Sequence, residues 1–108
     1  DYAGIGPQLA HLGSIGRLRF ISASDEEALA ALDITARDEG VLSALESAHA
    51  IAGALRELPL RSRDEIAVIN VSGRGDKDLF ITAPLYDKAG WLAFLEAEVV
   101  RLRGGEER

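Results

Sequence analysis

The feature that most constrains this sequence is an apolar run that ends in a glycine-rich loop. Residues 66–71 are apolar except for Asn70, and Ser72-Gly73-Arg74-Gly75 follows directly. A short apolar run bounded by turn residues is typical of a strand buried on both faces of a parallel sheet. Ligands of open α/β sheets bind outside the carboxyl ends of such strands. The pattern therefore predicts a buried strand near residues 65–72, with a ligand site at the loop that follows it.

Helical patterns lie on both sides of this run. Ser24 and Glu27 form a capping box before an amphipathic stretch that stops at Gly40. A later stretch is apolar nearly all round, as in a buried helix, and Pro59 ends it. Asp87 can cap a last amphipathic helix. We therefore expect helices near residues 25–39, 43–58 and 88–103.

The fold class follows from combining these helices with extended segments. Residues 17–22 alternate charged and apolar side chains up to Phe20, which is typical of a strand with one exposed face. Together with the apolar run near residues 65–72, this predicts an α/β fold with a partial open sheet and flanking helices.

Composition excludes several classes of function. The net charge is -6, which argues against a nucleic-acid or anionic-membrane partner. No apolar stretch reaches the roughly 20 residues of a membrane span, so we expect no membrane partner. The chain has no cysteine, hence no disulfide and no thiolate metal site, which favours a cytoplasmic protein. It also has no methionine, so Asp1 is not expected to be a native translation start.

Glu46 is the acidic residue that most needs an explanation, because it lies in the apolar helix and an unpaired buried carboxylate is costly. One interpretation is structural, since Ser43 and Glu46 have the spacing of a second capping box. Another is that Glu46 faces a polar ligand. Glu46 and His49 also have the spacing of a di-metal helix motif, but the further carboxylates that such a site needs are missing.

The loop at residues 72–75 resembles known motifs only in part. It could hold a phosphate, but it lacks the third glycine of a dinucleotide fingerprint and the Gly-Lys-Ser/Thr of a P-loop. Arg74-Gly75-Asp76 is also a cell-adhesion tripeptide, which we interpret as a chance match in a cysteine-free chain without secretory features. Ser72 lacks the glycines on both sides and the His-Asp relay that a hydrolase nucleophile elbow requires. The residues alone therefore predict a pocket with Ser72 and Glu46 as candidate polar groups, and no named reaction.

Four spaced motifs together resemble the C-terminal quarter of the tryptophan synthase β-chain family. They occur in the family's order and at its spacing, within residues 1–83. We accordingly divide the chain into residues 1–83, a portion of the β-chain catalytic fold, and residues 84–108, a helix and tail of unknown role. The motifs are Asp1–Gln8, Glu39–Gly40, Leu45–Ala50 and Asn70–Asp78.

The resemblance implies a pyridoxal-phosphate enzyme of the type II fold. Such an enzyme condenses L-serine with indole by β-replacement to give L-tryptophan. It works with an α chain that supplies indole, and with a second β chain. The α chain and the second β chain are expected as partners of the intact enzyme.

The resemblance also implies a role for individual residues. Ser72, beside Gly73, matches the position that hydrogen-bonds the pyridine nitrogen of the cofactor. Glu46 matches a carboxylate near the cofactor and the reacting indole, and Asp1 matches one that contacts the serine hydroxyl. Backbone carbonyls at Tyr2 and Gly4 match a monovalent-cation site.

The family's cofactor-binding lysine lies upstream of residue 1, and this chain has only Lys77 and Lys88. We therefore expect the chain to be a fragment of the enzyme that is inactive by itself and folds poorly alone. The alternative is a stand-alone binding or scaffold module that keeps the family's core without its chemistry.

Overall fold

Helices make up the regular structure of residues 4–104, the part of the chain that the computed structural model describes. Two single turns of 3-10 helix, Leu58–Leu60 and Gly75–Asp78, interrupt the longer elements. The α-helices are α1 (Pro7–Ser14), α2 (Asp25–Glu39), α3 (Leu45–Glu57), α4 (Leu79–Tyr86) and α5 (Lys88–Gly104).

Helix α2 begins and ends where its sequence predicts. The Glu27 N–H donates to Ser24 Oγ at 3.2 Å, and the Ser24 N–H donates to Glu27 Oε2 at 2.7 Å. Gly40 ends the helix as its C-cap. These bonds satisfy backbone groups that a helix end otherwise leaves open. The helices predicted near residues 25–39, 43–58 and 88–103 are all present, within two residues at each end.

The core of the molecule lies between α2 and α3. Ala28, Leu32 and Ala48 form one buried cluster, and Ala31 packs with Ile51 and Ala52 in a second. Most of these side chains are alanines, so the two helices approach closely but bury little apolar surface per residue. The core is consequently small for a chain of this length.

The predicted sheet is wrong for this chain. Residues 65–72 and 17–22 have no regular secondary structure, and no strand occurs within residues 4–104. Ile66 and Val68 are 93% and 92% exposed, whereas a buried strand was expected there. The physical reason is that a strand needs a neighbour with which to exchange backbone hydrogen bonds. The apolar pattern of residues 66–71 is real, but these residues have no such neighbour in the described part of the chain.

Residues 21–23 and 65–70 instead form two walls of an open groove over one face of α3. The groove has a volume of about 740 Å³, and its floor includes Ala50, Gly53 and Ala54. Helix α3 therefore has two apolar faces. One packs on α2, and the other lines this groove.

The molecule is elongated. Its longest dimension is 65 Å and its radius of gyration is 18.9 Å, compared with about 13 Å for a compact domain of this size.

Helices α4 and α5 pack together through an edge-to-face contact of Phe80 with Trp91. Tyr86 links α4 to α2 by donating its hydroxyl proton to the Leu29 carbonyl at 2.6 Å. None of the helices in residues 4–104 is long and apolar enough to cross a membrane.

Candidate functional site

The loop of residues 72–78, called the Ser72 loop below, lies against the first turns of α3. Its first four residues, 72–75, are the loop that the sequence predicted to follow a strand and to bind a ligand. Four groups of polar contacts, spread from its first residue to its last, hold it to the segment 42–47. The loop is therefore part of the same body as α3, although the strand expected before it is absent.

Ser47 makes the first of these contacts. The Ser72 N–H donates to Ser47 Oγ at 3.1 Å, and the Ser47 hydroxyl donates to the Ser72 carbonyl oxygen. The two hydroxyl oxygens lie 3.4 Å apart. Ser47 is only 5% exposed, so its hydroxyl depends on Ser72 for partners. This one side chain satisfies both backbone groups of Ser72.

Two glycines allow the Ser72 loop to approach α3 closely. Gly73 has a φ of 72°, a left-handed conformation that L side chains rarely adopt. A Cβ on Gly75 would overlap the Ser43 carbonyl oxygen and come within 2.7 Å of Leu42 Cγ. The Gly75 N–H donates to the Leu42 carbonyl oxygen at 3.0 Å, which this proximity makes possible.

Asp78, at the end of the Ser72 loop, caps the start of α3. The Leu45 N–H donates to Asp78 Oδ2 at 3.0 Å. The capping box predicted from Ser43 and Glu46 is therefore wrong, because the N-cap residue is Ala44 and it has no side-chain cap. Ser43 is buried, and its Oγ has no hydrogen-bond partner among the described residues. A carboxylate from a distant part of the sequence has taken the place of the local cap.

Lys77 joins Glu46 to the same cluster. Its Nζ lies 3.0 Å from Glu46 Oε2 and 2.8 Å from Asp78 Oδ1. Asp78 and then Glu46 raise the pKa of Lys77 above its usual value. Lys77, followed by the Leu45 N–H, lowers the pKa of Asp78. A hydrogen bond from its own backbone N–H, and then Lys77, lower the pKa of Glu46, so at neutral pH all three groups are charged.

The structure thus brings together two of the predicted site residues, Ser72 and Glu46. Each contacts the other's segment, Ser72 through Ser47 and Glu46 through Lys77. Glu46 is exposed at the second position of α3, so it is not the buried carboxylate that the sequence suggested. Gly73 lies in the Ser72 loop, and Gly4 is exposed just before α1. Asp1 and Tyr2 lie outside the described residues.

His49 does not form a metal site with Glu46. Its Nδ1 lies 2.8 Å from the Leu45 carbonyl oxygen, one helical turn earlier, and its Nε2 lies 3.7 Å from Asp25 Oδ1. Within residues 4–104 no three histidine or acidic side chains are grouped as metal ligands would be.

Sequence reasoning missed Ser47, Lys77 and Asp78. Ser47 carried one usable signal, since it is a polar residue on an otherwise apolar helix face and such a side chain needs a buried partner. Nothing in the sequence indicated that Asp78 would cap a helix that begins 33 residues earlier.

Comparison with known proteins identifies the family to which the chain is similar. The chain is 51% identical over 102 residues to the tryptophan synthase β chain of Helicobacter hepaticus. It is 54% and 56% identical over 79 residues to the β chains of Anoxybacillus flavithermus and Afipia carboxidovorans. The chain belongs to the tryptophan synthase β-chain family. No model of a protein family matches it.

These matches cover most of this chain but little of each relative. They include 94%, 73% and 73% of the chain, and 24%, 20% and 20% of the three relatives. The chain therefore spans about a quarter or a fifth of the length of these β chains. The first match extends past residue 84 because it includes all but about six residues of the chain.

The Ser72 loop is chemically suited to the pyridine nitrogen of pyridoxal phosphate. Ser47 uses its own proton for the Ser72 carbonyl and accepts the Ser72 N–H, and its Oγ lies 3.4 Å from the Ser72 Oγ. The Ser72 hydroxyl can therefore donate its proton either to Ser47 Oγ or to an external acceptor. A neutral hydroxyl can donate to an unprotonated ring nitrogen. Ser72 is exposed, so this donor is accessible.

Proposed function

We propose that this chain is the C-terminal part of the active site of a pyridoxal-phosphate enzyme that condenses L-serine with indole to give L-tryptophan. The observation that carries the proposal is the contact between the Ser72 loop and the first turns of α3. This contact joins the two motifs of the β-chain family that we assign to the site. The cofactor, when bound, withdraws electrons from the α-carbon of the amino-acid substrate.

Ser72 would bind the ring nitrogen of the cofactor as a neutral hydrogen-bond donor, beside Gly73. An aspartate at this position would favour a protonated ring, because an opposite charge a few ångströms away stabilises a cation. A hydroxyl leaves the nitrogen largely unprotonated and the electron withdrawal weaker. That suits loss of the serine hydroxyl and addition of indole, and it suppresses racemisation and transamination.

Glu46 would serve as the carboxylate beside the incoming indole. Glu46 is ionised at neutral pH, so a carboxylate is available beside the indole, where a base is needed as the new bond forms. Its ion pair with Lys77 limits where the carboxylate can lie. Asp1 would contact the substrate hydroxyl, and the carbonyls of Tyr2 and Gly4 would bind a monovalent cation.

The remainder of the enzyme would supply what this chain lacks. We propose an α chain that provides indole, a second β chain, and a cytoplasmic location. Residues 1–83 would belong to the catalytic fold, and the role of residues 84–108 stays open. A fragment accounts better than a stand-alone module for the elongated shape and for the exposed Ile66 and Val68.

The product ratio of the full-length protein tests the roles of Ser72 and Glu46. Ser72→Asp should raise racemisation and transamination relative to tryptophan formation more than it weakens cofactor binding. Glu46→Ala should mainly slow the indole step. If both variants lose stability and keep the wild-type product ratio, the two residues are structural and the proposal is wrong.

The 108-residue chain alone should form no covalent adduct with pyridoxal phosphate. Lys77 is held as an ammonium ion by two carboxylates, and an ammonium ion is not a nucleophile. Lys88 is exposed at the start of α5. Borohydride reduction of the mixture followed by mass spectrometry is expected to give no stoichiometric adduct. One fully modified lysine would contradict this.

A further inference from the structure

Ser47 is the buried hydroxyl nearest to the proposed cofactor donor, and no role in the reaction has been given to it above. It is buried on α3, and the other buried residues of that helix, Ala48, Ile51, Ala52 and Gly53, are apolar. A polar side chain in such a place costs free energy unless it is hydrogen-bonded. Its hydroxyl bonds the N–H and the carbonyl of Ser72, and its Oγ lies 3.4 Å from the Ser72 Oγ.

We infer that Ser47 is a positioning residue that directs the Ser72 hydroxyl toward the ring nitrogen of the cofactor. This rests on the proposed function. By bonding the N–H and the carbonyl of Ser72, Ser47 fixes the backbone from which that hydroxyl extends.

The remaining contacts of the Ser72 loop lie farther along it. Gly75 bonds to Leu42, Lys77 to Glu46 and Asp78 to Leu45, three, five and six residues after Ser72. They hold the far end of the loop against α3. Without Ser47, the backbone at Ser72 could rotate although the loop stays attached. The predicted defect is therefore local to Ser72.

Ser43 provides a matched control. It is the same residue type, buried in the turn before α3, and its Oγ has no partner among the described residues. Ser43→Ala removes a buried hydroxyl without removing a hydrogen bond, whereas Ser47→Ala removes two. Ser47→Thr retains the hydroxyl, so it should behave nearly as the wild type does. If Ser47→Ala does not fold, Ser47→Cys keeps a weak donor of similar size.

The first experiment uses the full-length protein without cofactor. Amide hydrogen exchange at Ser72 should accelerate about fivefold to tenfold in Ser47→Ala, as expected for the loss of a typical hydrogen bond. It should stay at the wild-type rate in Ser43→Ala. Unchanged exchange at Ser72 in Ser47→Ala would overturn the inference without touching the proposed function.

The second experiment measures the apparent dissociation constant of pyridoxal phosphate in a double-mutant cycle of Ser47→Ala and Ser72→Ala. If Ser47 acts through Ser72, each single variant raises the constant by about tenfold and the double variant raises it little further. If the two substitutions act independently, the increase in the dissociation constant of the double variant equals the product of the two single increases. That result would overturn the inference and leave the proposed function standing. A constant unchanged by Ser72→Ala would overturn both the inference and the assigned role of Ser72.

Discussion

Two adjacent stretches of the chain, residues 65–71 and the Ser72 loop, differ in how they are held. The first is the more apolar, yet Ile66 and Val68 are almost fully exposed. The second is polar and glycine-rich, yet Gly75 and Asp78 are buried against α3. The difference is that the Ser72 loop satisfies its backbone and its charges within this chain. Residues 65–71 would need neighbours that the described part of the chain does not provide.

Hydrophobicity alone therefore does not bury a segment in a protein of this size. Burial of an extended run requires partners for its backbone N–H and carbonyl groups as well as cover for its side chains. The Ser72 loop meets this requirement through Ser47, Leu42 and Leu45. We therefore regard α3 and the Ser72 loop as the preformed part of the site.

The largest predicted effect comes from Gly75→Ala, which should break the contact between the Ser72 loop and α3. The new methyl group would overlap the Ser43 carbonyl oxygen, so the loop must move away. We expect a loss of about 3 kcal/mol in the free energy that keeps the loop closed, as for severe overpacking. Amide exchange at Ser72, which lies in the same loop and is unchanged in sequence, measures this. Gly104→Ala is the control, because a Cβ there meets nothing within 4 Å.

Removing the cap should have the next largest effect. Asp78→Ala leaves the Leu45 N–H and Lys77 without their buried partner, at a cost of about 2 kcal/mol. Asp76 is the exposed neighbour for comparison, and Asp76→Ala should change little. Amide exchange at Leu45 distinguishes the two variants. Equal effects from both would show that Asp78 does not cap α3.

The contact of Asp78 with α3 should also depend on pH. The pKa of Asp78 is lowered from 3.8, chiefly by Lys77, so its contribution to stability is fully present above pH 3.8. It is lost as the pH falls through the lowered value. The chemical shift of the Leu45 amide proton should therefore titrate below pH 3.8, and Asp78→Asn should abolish the titration. A midpoint above 3.8 would contradict the ion pair.

The smallest effect on folding is expected from Val68→Asp. Because Val68 is 92% exposed, the free energy of unfolding of the 108-residue chain should change by less than about 0.5 kcal/mol. The same substitution should reduce self-association, which exposed apolar side chains favour. Sedimentation velocity measures the second effect. A wild-type chain that sediments as a sharp monomer would contradict the predicted association.

The sequence predicted the helices well and the extended segments poorly. Caps and apolar stripes are local, so the Ser24 capping box and the Gly40 stop were sufficient to locate α2. A strand depends on partners distant in sequence, and the run at 66–71 carries no sign of whether they are present. The same limit applies to the site, because the residue patterns indicated Ser72 and Glu46 only as candidate polar groups and their roles came from family resemblance. Their connection through Ser47 and Lys77 depends on tertiary contacts.

Residue-resolved hydrogen exchange across residues 64–78 of the 108-residue chain tests the central comparison most directly. The amides of Ser72 and Gly75 donate to Ser47 Oγ and the Leu42 carbonyl, so they should be protected from exchange. The amides of residues 66–71 should exchange at nearly the rate of an unfolded chain. Protection of residues 66–71 equal to that of Ser72, or no protection at Ser72 and Gly75, would contradict the account.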